Sequence, residues 1–384
     1  MRRLCFICES GTDVRIIDGL SRHFRLTVLV RPAFGDRAIN WQYEGDAPLE
    51  VLAGPPGRLT FTLYVLRWLV SQSGNIDIVL VQNYGLAALA ANLARLVTGL
   101  PTLLFVCSPN IEYFRCRYRK SEISLPSYLT GLMVLHFCRT INALLTERYV
   151  VLSHYLAGVV AGNGQARAAV IPIYGVDTRR FHPVTAEQKI ALRRRFGLPE
   201  EEFIIFFSSR IAPEKDTESL IEAACLLLAR GYRFLLLNLS GGYQAFLDKA
   251  AAAGLAERVW ALDAVHPVHE LPYYYQASDL CVQISLEEGL GFSPLEALAC
   301  QLPVIATGVG GLRETIRDGE TGLTVPIHDA QVLADRIAYA LDNPEQMHML
   351  AQQGRAMVEQ HYQAQECFNT FAALAESLIK VRCR

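Results

Sequence analysis

The strongest constraint on this chain is a rhythm of short, unbroken apolar runs, each followed by a turn and a segment of helical periodicity. Leu4–Cys8, Leu26–Val30, Asp77–Val81 and Thr102–Val106 are such runs. They do not alternate apolar with polar residues, so both faces of each strand must be covered. Asp13–Phe24, Leu59–Val70 and Leu86–Val97 supply helices between them. Strands buried on both faces and separated by helices make a parallel sheet with helices on either side. Leu49–Ala53 adds a short strand after a Gly-, Pro- and Asp-rich loop at 31–48, and Arg148–Leu152 and Val170-Ile171-Pro172 are the last strands of this half. Tyr174-Gly175-Val176-Asp177 and Phe181-His182-Pro183 form a turn-rich linker.

After the linker the rhythm restarts. Thr185 and Gln188 fit a capping box for a helix that ends at Gly197. Phe203–Phe207, Phe234–Leu239, Val259–Leu262, Leu280–Ile284, Pro303–Ala306 and Leu323–Pro326 read as strands. Asp216–Arg230, Gln244–Ala253, His269–Ala277, Ala330–Leu341, Glu345–Tyr362 and Ala364–Val381 read as helices. The expected fold class is α/β, two doubly wound Rossmann-like domains facing a cleft. Ligands of such sheets bind outside the carboxyl ends of the strands.

Bulk properties narrow the function. The chain has 384 residues, 51% of them hydrophobic and 19% charged, enough for two cores. A net charge of −2 gives no electrostatic case for nucleic acid. Ten cysteines are too few for a disulfide scaffold, and Cys5 and Cys8 lie inside the first strand, so they read as core. Leu4–Cys8 is too short for a signal segment, and no unbroken apolar run reaches the roughly 20 residues of a spanning helix, so a cytoplasmic protein is expected.

Two stretches carry chemistry. Ser285–Thr307 reads strand, glycine turn, helix, strand, with Glu288 before Gly289-Leu290-Gly291 and Glu296 beyond it. Ser293 fits an N-cap, Pro294 the first helical position, and Glu296 the first turn. A glycine turn opening a helix offers free N–H groups and a positive dipole end. Two carboxylates there can bind a polyhydroxyl ligand or flank a scissile glycosidic bond. The second stretch, Ser208–Lys215, places Arg210 and Lys215 at a strand's carboxyl end. They can neutralise a diphosphate, or pair on the surface with Glu214 or Glu218. Gly11, in Ser10-Gly11-Thr12, is either a phosphate-loop glycine or a plain turn. Residues 108–122 read as an irregular loop in which Arg115, Arg117, Arg119 and Lys120 interleave with Tyr113, Phe114 and Tyr118. A very apolar helix follows. This region reads as an anionic-membrane patch or as a solvated loop over a core helix.

Arg210–Lys215, Glu288 and Glu296 in EGLGFSPLEALACQLPVIAT, and GVGGLRETIRDGETGLTVP at 308–326 closely resemble the family 4 glycosyltransferases of GT-B fold. Ile171–Pro183 resembles that family's interdomain segment. The resemblance is strong from about 170 to 362. It implies a retaining transfer of a sugar from a nucleotide diphosphate sugar (UDP- or GDP-linked), without metal or other cofactor, by a front-face mechanism in which the leaving phosphate is the base. It implies an acceptor-binding domain at 1–177, a donor-binding domain at 178–363, and a last helix, 364–384, returning to the first. Arg210 and Lys215 would hold the diphosphate. Glu288 and the N–H groups of Leu290, Gly291 and Phe292 would hold the sugar, Glu296 the ribose, and Gly11 would approach the diphosphate or acceptor. Members often carry a histidine where this chain reads Val106-Cys107-Ser108-Pro109-Asn110, so any role of that side chain toward the sugar falls to Ser108, Asn110 or Glu112, or is absent. The expected acceptor is a lipid-linked saccharide or cell-surface polysaccharide precursor, met at the inner face of the membrane. A non-catalytic nucleotide-sugar-binding subunit is the alternative. Sugar-nucleotide epimerisation would need acid/base side chains of which the sequence offers no obvious set.

Overall fold

A computed structural model of the protein describes residues 1–9, 11–32, 49–161, 167–239, 243–262 and 270–382. It separates into two compact units, Met1–Gly175 with Ala364–Arg384, and Val176–Gln363. The division falls two residues before the expected one. Ser10, most of the loop at 31–48, and His269 lie outside the described residues.

The first unit contains β1 (Arg3–Cys8), α1 (Val14–Ser21), β2 (Arg25–Val30), β3 (Leu49–Ala53), α2 (Arg58–Ser71), β4 (Ile78–Gln82), α3 (Leu86–Thr98), β5 (Thr102–Val106), α4 (Asn110–Arg119), α5 (Leu125–Leu145), β6 (Arg148–Val151), α6 (His154–Ala161) and β7 (Ala168–Val170). Its seven strands run parallel in the order β3-β2-β1-β4-β5-β6-β7. β1, β4 and β5 are central, and their apolar side chains are almost wholly buried.

The second unit contains α7 (Ala186–Arg195), β8 (Phe203–Phe207), α8 (Thr217–Ala229), β9 (Phe234–Leu239), α9 (Tyr243–Ala252), β10 (Val259–Leu262), α10 (Leu271–Ala277), β11 (Leu280–Gln283), α11 (Phe292–Ala299), β12 (Val304–Thr307), α12 (Leu312–Thr315), β13 (Leu323–Val325), α13 (Ala330–Asp342) and α14 (Pro344–His361). Its six strands are parallel in the order β10-β9-β8-β11-β12-β13. In both sheets the order reverses beside the first strand, between β1 and β4 and between β8 and β11. The α7 capping box is present, with Thr185 and Gln188 bonded reciprocally. The last helix, α15 (Ala364–Arg382), packs on α1: a Cβ on Gly19 would run into the ring of Phe368, and Phe371 meets Phe24 edge-on at 6.1 Å.

Two local expectations need correction, and two helices extend beyond the expected elements. Residues 110–119 are helical, not irregular. Pro109 precedes the helix, Glu112 sits in its first turn and Arg117 and Arg119 in its last, as the helix dipole favours. The very apolar helix that follows runs on to Leu145, where Asn142 finds buried partners: Asn92 Nδ2 donates to Asn142 Oδ1 at 2.9 Å and to Thr146 Oγ1 at 3.0 Å. The strand expected at 170–172 is Ala168–Val170, in register with Tyr149–Val151, since Pro172 has no N–H to give a ladder. The helix α6 has no expected counterpart; Ser153 Oγ accepts the Leu156 N–H at its start.

Burial raises the Cys5 thiol and pushes Cys8 up to about 12, and both are free and buried. They are core residues. α5 is unusual. Its 21 residues are long and apolar enough to cross a membrane by length and composition, yet only 11% of its most apolar window is buried. Leu125, Leu129, Met133 and Phe137 recur every fourth residue and are all more than half exposed.

One buried ion pair braces the second unit. Arg193, 5% exposed, bonds Asp279 at 2.5 Å and also donates to the carbonyls of Ala277, Glu200 and Glu202. Arg193→Ala strands three carbonyls, while Asp279 keeps Lys189 at 2.6 Å and the Ile204 N–H at 2.7 Å. It should destabilise the unit by about 1–3 kcal/mol, read as a lower urea midpoint.

Candidate active site

The chain leaves β8 and β11 on opposite sides of the reversal, so their exit loops border a crevice. The β8 exit is 208–216 and the β11 exit is 284–291. They are stitched together by backbone. Asp216 N–H donates to the Ile284 carbonyl at 3.0 Å, Leu286 N–H to the Glu214 carbonyl at 2.8 Å, and Lys215 and Ser285 form an antiparallel bridge. Side chains add to this. Ser209 Oγ donates to Gln283 Oε1 at 2.7 Å, and Gln283 Nε2 to Ser285 Oγ at 2.9 Å. Thr307 Oγ1 donates to the Ser285 carbonyl at 2.7 Å and accepts its N–H at 3.0 Å.

This stitching places Lys215 beside Glu288. Lys215 Nζ lies 2.5 Å from Glu288 Oε2 and 3.0 Å from Ser285 Oγ, with the two charged side chains 9% and 15% exposed. Neither charge could be buried so far without the other. Arg210 is different. Its side chain is 73% exposed and reaches Glu214 at 3.2 Å, one of the two surface pairings anticipated for it. Glu218 instead takes Lys249 at 2.7 Å.

The turn after Glu288 approaches a second glycine loop. Gly311 N–H donates to the Glu288 carbonyl at 2.9 Å. A Cβ on Gly310 would strike that carbonyl oxygen, and one on Gly311 would strike the Gly289 carbonyl oxygen. The two loops therefore touch backbone to backbone. Gly291, at φ 89°, caps α11 in the left-handed region. The expected cap fails here: Ser293 is the second helical residue and Pro294 the third, so Glu296 falls in the second turn. The cause is the tight turn at Gly291, which starts the helix at Phe292. Leu290 is buried and Phe292 half-buried beside this helix start.

Glu296 is 2% exposed. Tyr275 Oη donates to its Oε2 at 2.9 Å and lies 2.7 Å from Ser208 Oγ. Burial, and then the Glu296 carboxylate, push the Tyr275 phenol well above its ordinary value, so it stays a neutral donor. Tyr275 was not anticipated from sequence.

The first-unit candidates occupy the corresponding edge. Gly11 is exposed, with open space where a Cβ would be. Ser108 Oγ donates to Asn110 Oδ1 at 2.7 Å, and Glu112 accepts from Arg115 Nη1 at 2.7 Å. Of these three only Asn110 lines the unit's large cavity, about 850 Å³, which it shares with Glu9, Gln82 and Asn83. Sequence reasoning missed those three. The available signal was position: each stands at the end of a strand, β1 or β4, as Arg210 and Lys215 follow β8. Among the described residues no group of three or more His, Cys, Asp or Glu could hold a metal ion.

Comparison with known proteins fits this geometry. Residues 188–357 match the family model "Glycosyl transferases group 1". A D-inositol 3-phosphate glycosyltransferase of Thermobispora bispora is 35% identical over 188 residues, 46% of this chain and 43% of that protein. The lipopolysaccharide core biosynthesis mannosyltransferase LpsB of Rhizobium meliloti is 29% identical over 237 residues, 58% of this chain and 66% of that one. The chain spans about half the length of the first curated relatives it matches. HepE of Anabaena, crystallised with UDP and glucose, superposes with a TM-score of 0.78 at 18% identity, over 98% of this chain and 100% of that one. The fold is GT-B, and residues 188–357 are similar to the group 1 glycosyltransferase domain.

Backbone contact between the glycine loops yields a paired prediction. Gly311→Ala must push the 288–291 turn aside and should destabilise the second unit by about 1–3 kcal/mol. Gly308→Ala, whose Cβ would meet open space, should stay within about 0.5 kcal/mol of the parent in the same urea titration.

Proposed function

We propose that this protein is a retaining, family 4 glycosyltransferase that moves a sugar from a nucleotide diphosphate sugar to a lipid-linked saccharide or cell-surface polysaccharide precursor. The observation that carries this reading is the buried Lys215–Glu288 pair beside the glycine turn and the start of α11. A buried ammonium next to helix N–H groups suits a diphosphate, and adjacent carboxylates suit hydroxyls. Glycoside hydrolysis by Glu288 and Glu296 is disfavoured, because Glu288 is paired with Lys215 and Glu296 with Tyr275.

In this reading Lys215 and Arg210 neutralise the diphosphate as it departs. That is electrostatic stabilisation of developing charge, with no metal needed for it. Arg210, exposed and held among the described residues by Glu214, swings onto the phosphates when the donor enters. Glu288 and the turn at Leu290, Gly291 and Phe292 hold the sugar, and Glu296, oriented by Tyr275, holds the ribose. The acceptor hydroxyl attacks the sugar's anomeric carbon on the face the diphosphate leaves. The bond from that carbon to the phosphate oxygen breaks, and the hydroxyl proton passes to the leaving phosphate. The first unit binds the acceptor, and Gly11 bears on the diphosphate or acceptor. The likeness to a lipopolysaccharide mannosyltransferase supports a saccharide acceptor at a membrane.

We place the reaction in the cytoplasm, peripheral on the inner face of the membrane. Arg115 and Arg117 are partly neutralised by Glu112 and Glu122, so the membrane contact rests more on the exposed apolar stripe of α5 than on those arginines. A non-catalytic subunit would bind the same donor, so turnover decides between the two. The purified protein, given lipid extract and a panel of UDP- and GDP-sugars, should release nucleoside diphosphate from at least one. Release from none rejects the enzyme. Lys215→Ala should abolish that release. Glu296→Ala should weaken nucleotide-sugar binding about 10–100-fold by calorimetry, the worth of a charge-assisted hydrogen bond; unchanged affinity rejects the ribose role. Met133→Glu with Phe137→Glu should release the protein from anionic vesicles in flotation, and equal partitioning rejects the membrane contact.

A further inference from the structure

We propose that the 850 Å³ cavity of the first unit binds an amphipathic ligand, a sugar head on a hydrocarbon chain, with Glu9 as the head-recognition residue. This rests on the reading that the first unit takes the acceptor, and it names that acceptor's chemistry. The volume is in the range of sites that enclose an organic ligand.

The cavity has a polar end and an apolar one. The polar end is the strand reversal, where Glu9 follows β1, Gln82 and Asn83 close β4, and Asn110 starts α4. Glu9 decides its character. Its Oε1 accepts the Ala87 N–H at 2.5 Å, at the start of α3, whose N-cap Gly85 supplies no side chain. A Cβ on Gly85 would lie 2.7 Å from the same oxygen, so the glycine makes room for the carboxylate. The positive end of α3, which would otherwise attract an anion, is thus neutralised from within the unit. What is left at this end is one carboxylate and three carboxamides, and Arg58 and Arg117 add two guanidinium groups to the cavity lining. Gln82 Oε1 is buried without a hydrogen-bond partner among the described residues. Such a set matches hydroxyl groups.

The apolar end is built by α5. Pro126, Thr130, Val134 and Cys138 recur every fourth residue and all line the cavity. Pro126, Thr130 and Val134 are exposed while Cys138 is 2% exposed, so the groove deepens along the helix toward the polar end. Its walls are fixed. Gly131 has no Cβ, which lets the Phe114 ring of α4 lie against α5, and Tyr128 stacks with Phe114 at 5.8 Å and with Tyr118 at 4.2 Å. Asn142 Nδ2 also donates to the Gly85 carbonyl at 3.3 Å, tying α5 to the start of α3. The groove mouth adjoins the exposed Leu129, Met133 and Phe137, so a chain leaving the cavity meets apolar side chains before water. A free sugar would leave this lining unused, and a plain hydrocarbon would leave the buried Gln82 Oε1 without a partner.

The test uses the full chain and dodecyl maltoside below its micelle concentration, followed by calorimetry. The parent should bind it at least tenfold more tightly than either maltose or dodecyldimethylamine oxide. Val134→Trp fills the groove and should weaken binding at least tenfold, while Val97→Trp, on the exposed end of α3, should not. Glu9→Gln should narrow the preference over the amine oxide. Equal affinity for the two detergents, or no effect of Val134→Trp, overturns the site. If Val134→Trp fails to fold, a photoreactive alkyl glucoside on the parent decides: cross-links within 126–138 support the site, and cross-links confined elsewhere overturn it. Nucleotide-sugar binding in the same samples separates the two readings. A donor that binds without glycoside binding removes this inference alone. Glycoside binding without any donor removes the proposed reaction and leaves the site.

Discussion

Lys215 is buried only because Glu288 is there to meet it, and the second unit is organised around that meeting. The two residues come from loops that follow different strands, 73 positions apart. To bring them within hydrogen-bonding distance, the loops exchange backbone hydrogen bonds, and Gln283, Ser285 and Thr307 fill the space beneath with polar partners. The glycines at 310 and 311 answer the same need from the far side, since any Cβ there would displace the Glu288 turn. Taking the two charges out of water is costly, and the Ser285 hydroxyl beside them adds a further hydrogen bond. A ligand with its own charge and hydroxyls can take over both partners, which makes the pair a candidate site as well as a brace.

The two units use one geometric device with opposite chemistry. Each parallel sheet reverses its strand order beside its first strand, and each gathers polar residues at that edge. In the second unit the edge carries Lys215, and the start of α11 has no side-chain cap. In the first unit the edge carries Glu9, which occupies the start of α3. The two edges therefore differ in what meets the helix start beside them: a carboxylate of the same unit at α3, and no side chain at α11.

Much of the architecture was legible because parallel strands leave an unambiguous trace. A strand buried on both faces has no polar residues to blur its limits, so β1, β4, β5, β8 and β11 fall within a residue or two of their apolar runs. The α7 capping box was legible because it is made entirely by neighbours in sequence. Failures came where the deciding partner was remote. α4 looked irregular because its charges and aromatics mask a helix that packs on α5. The cap of α11 was misplaced because Ser293-Pro294 is a good local start, and the turn at Gly291 overrode it.

The amino-acid sequence by itself determined the α/β class, the restart near 176, and the charged and glycine-rich residues from which the second unit's site is made. Those are local properties: periodicity, capping and residue type at the ends of strands. Only the tertiary structure decided which of these residues meet. It paired Lys215 with Glu288 and left Arg210 on the surface, set Tyr275 on Glu296, and turned Glu9 onto α3 above an apolar groove. Such choices depend on which strands become neighbours and how closely two backbones approach. Both are set by packing over distances in sequence that no local pattern records.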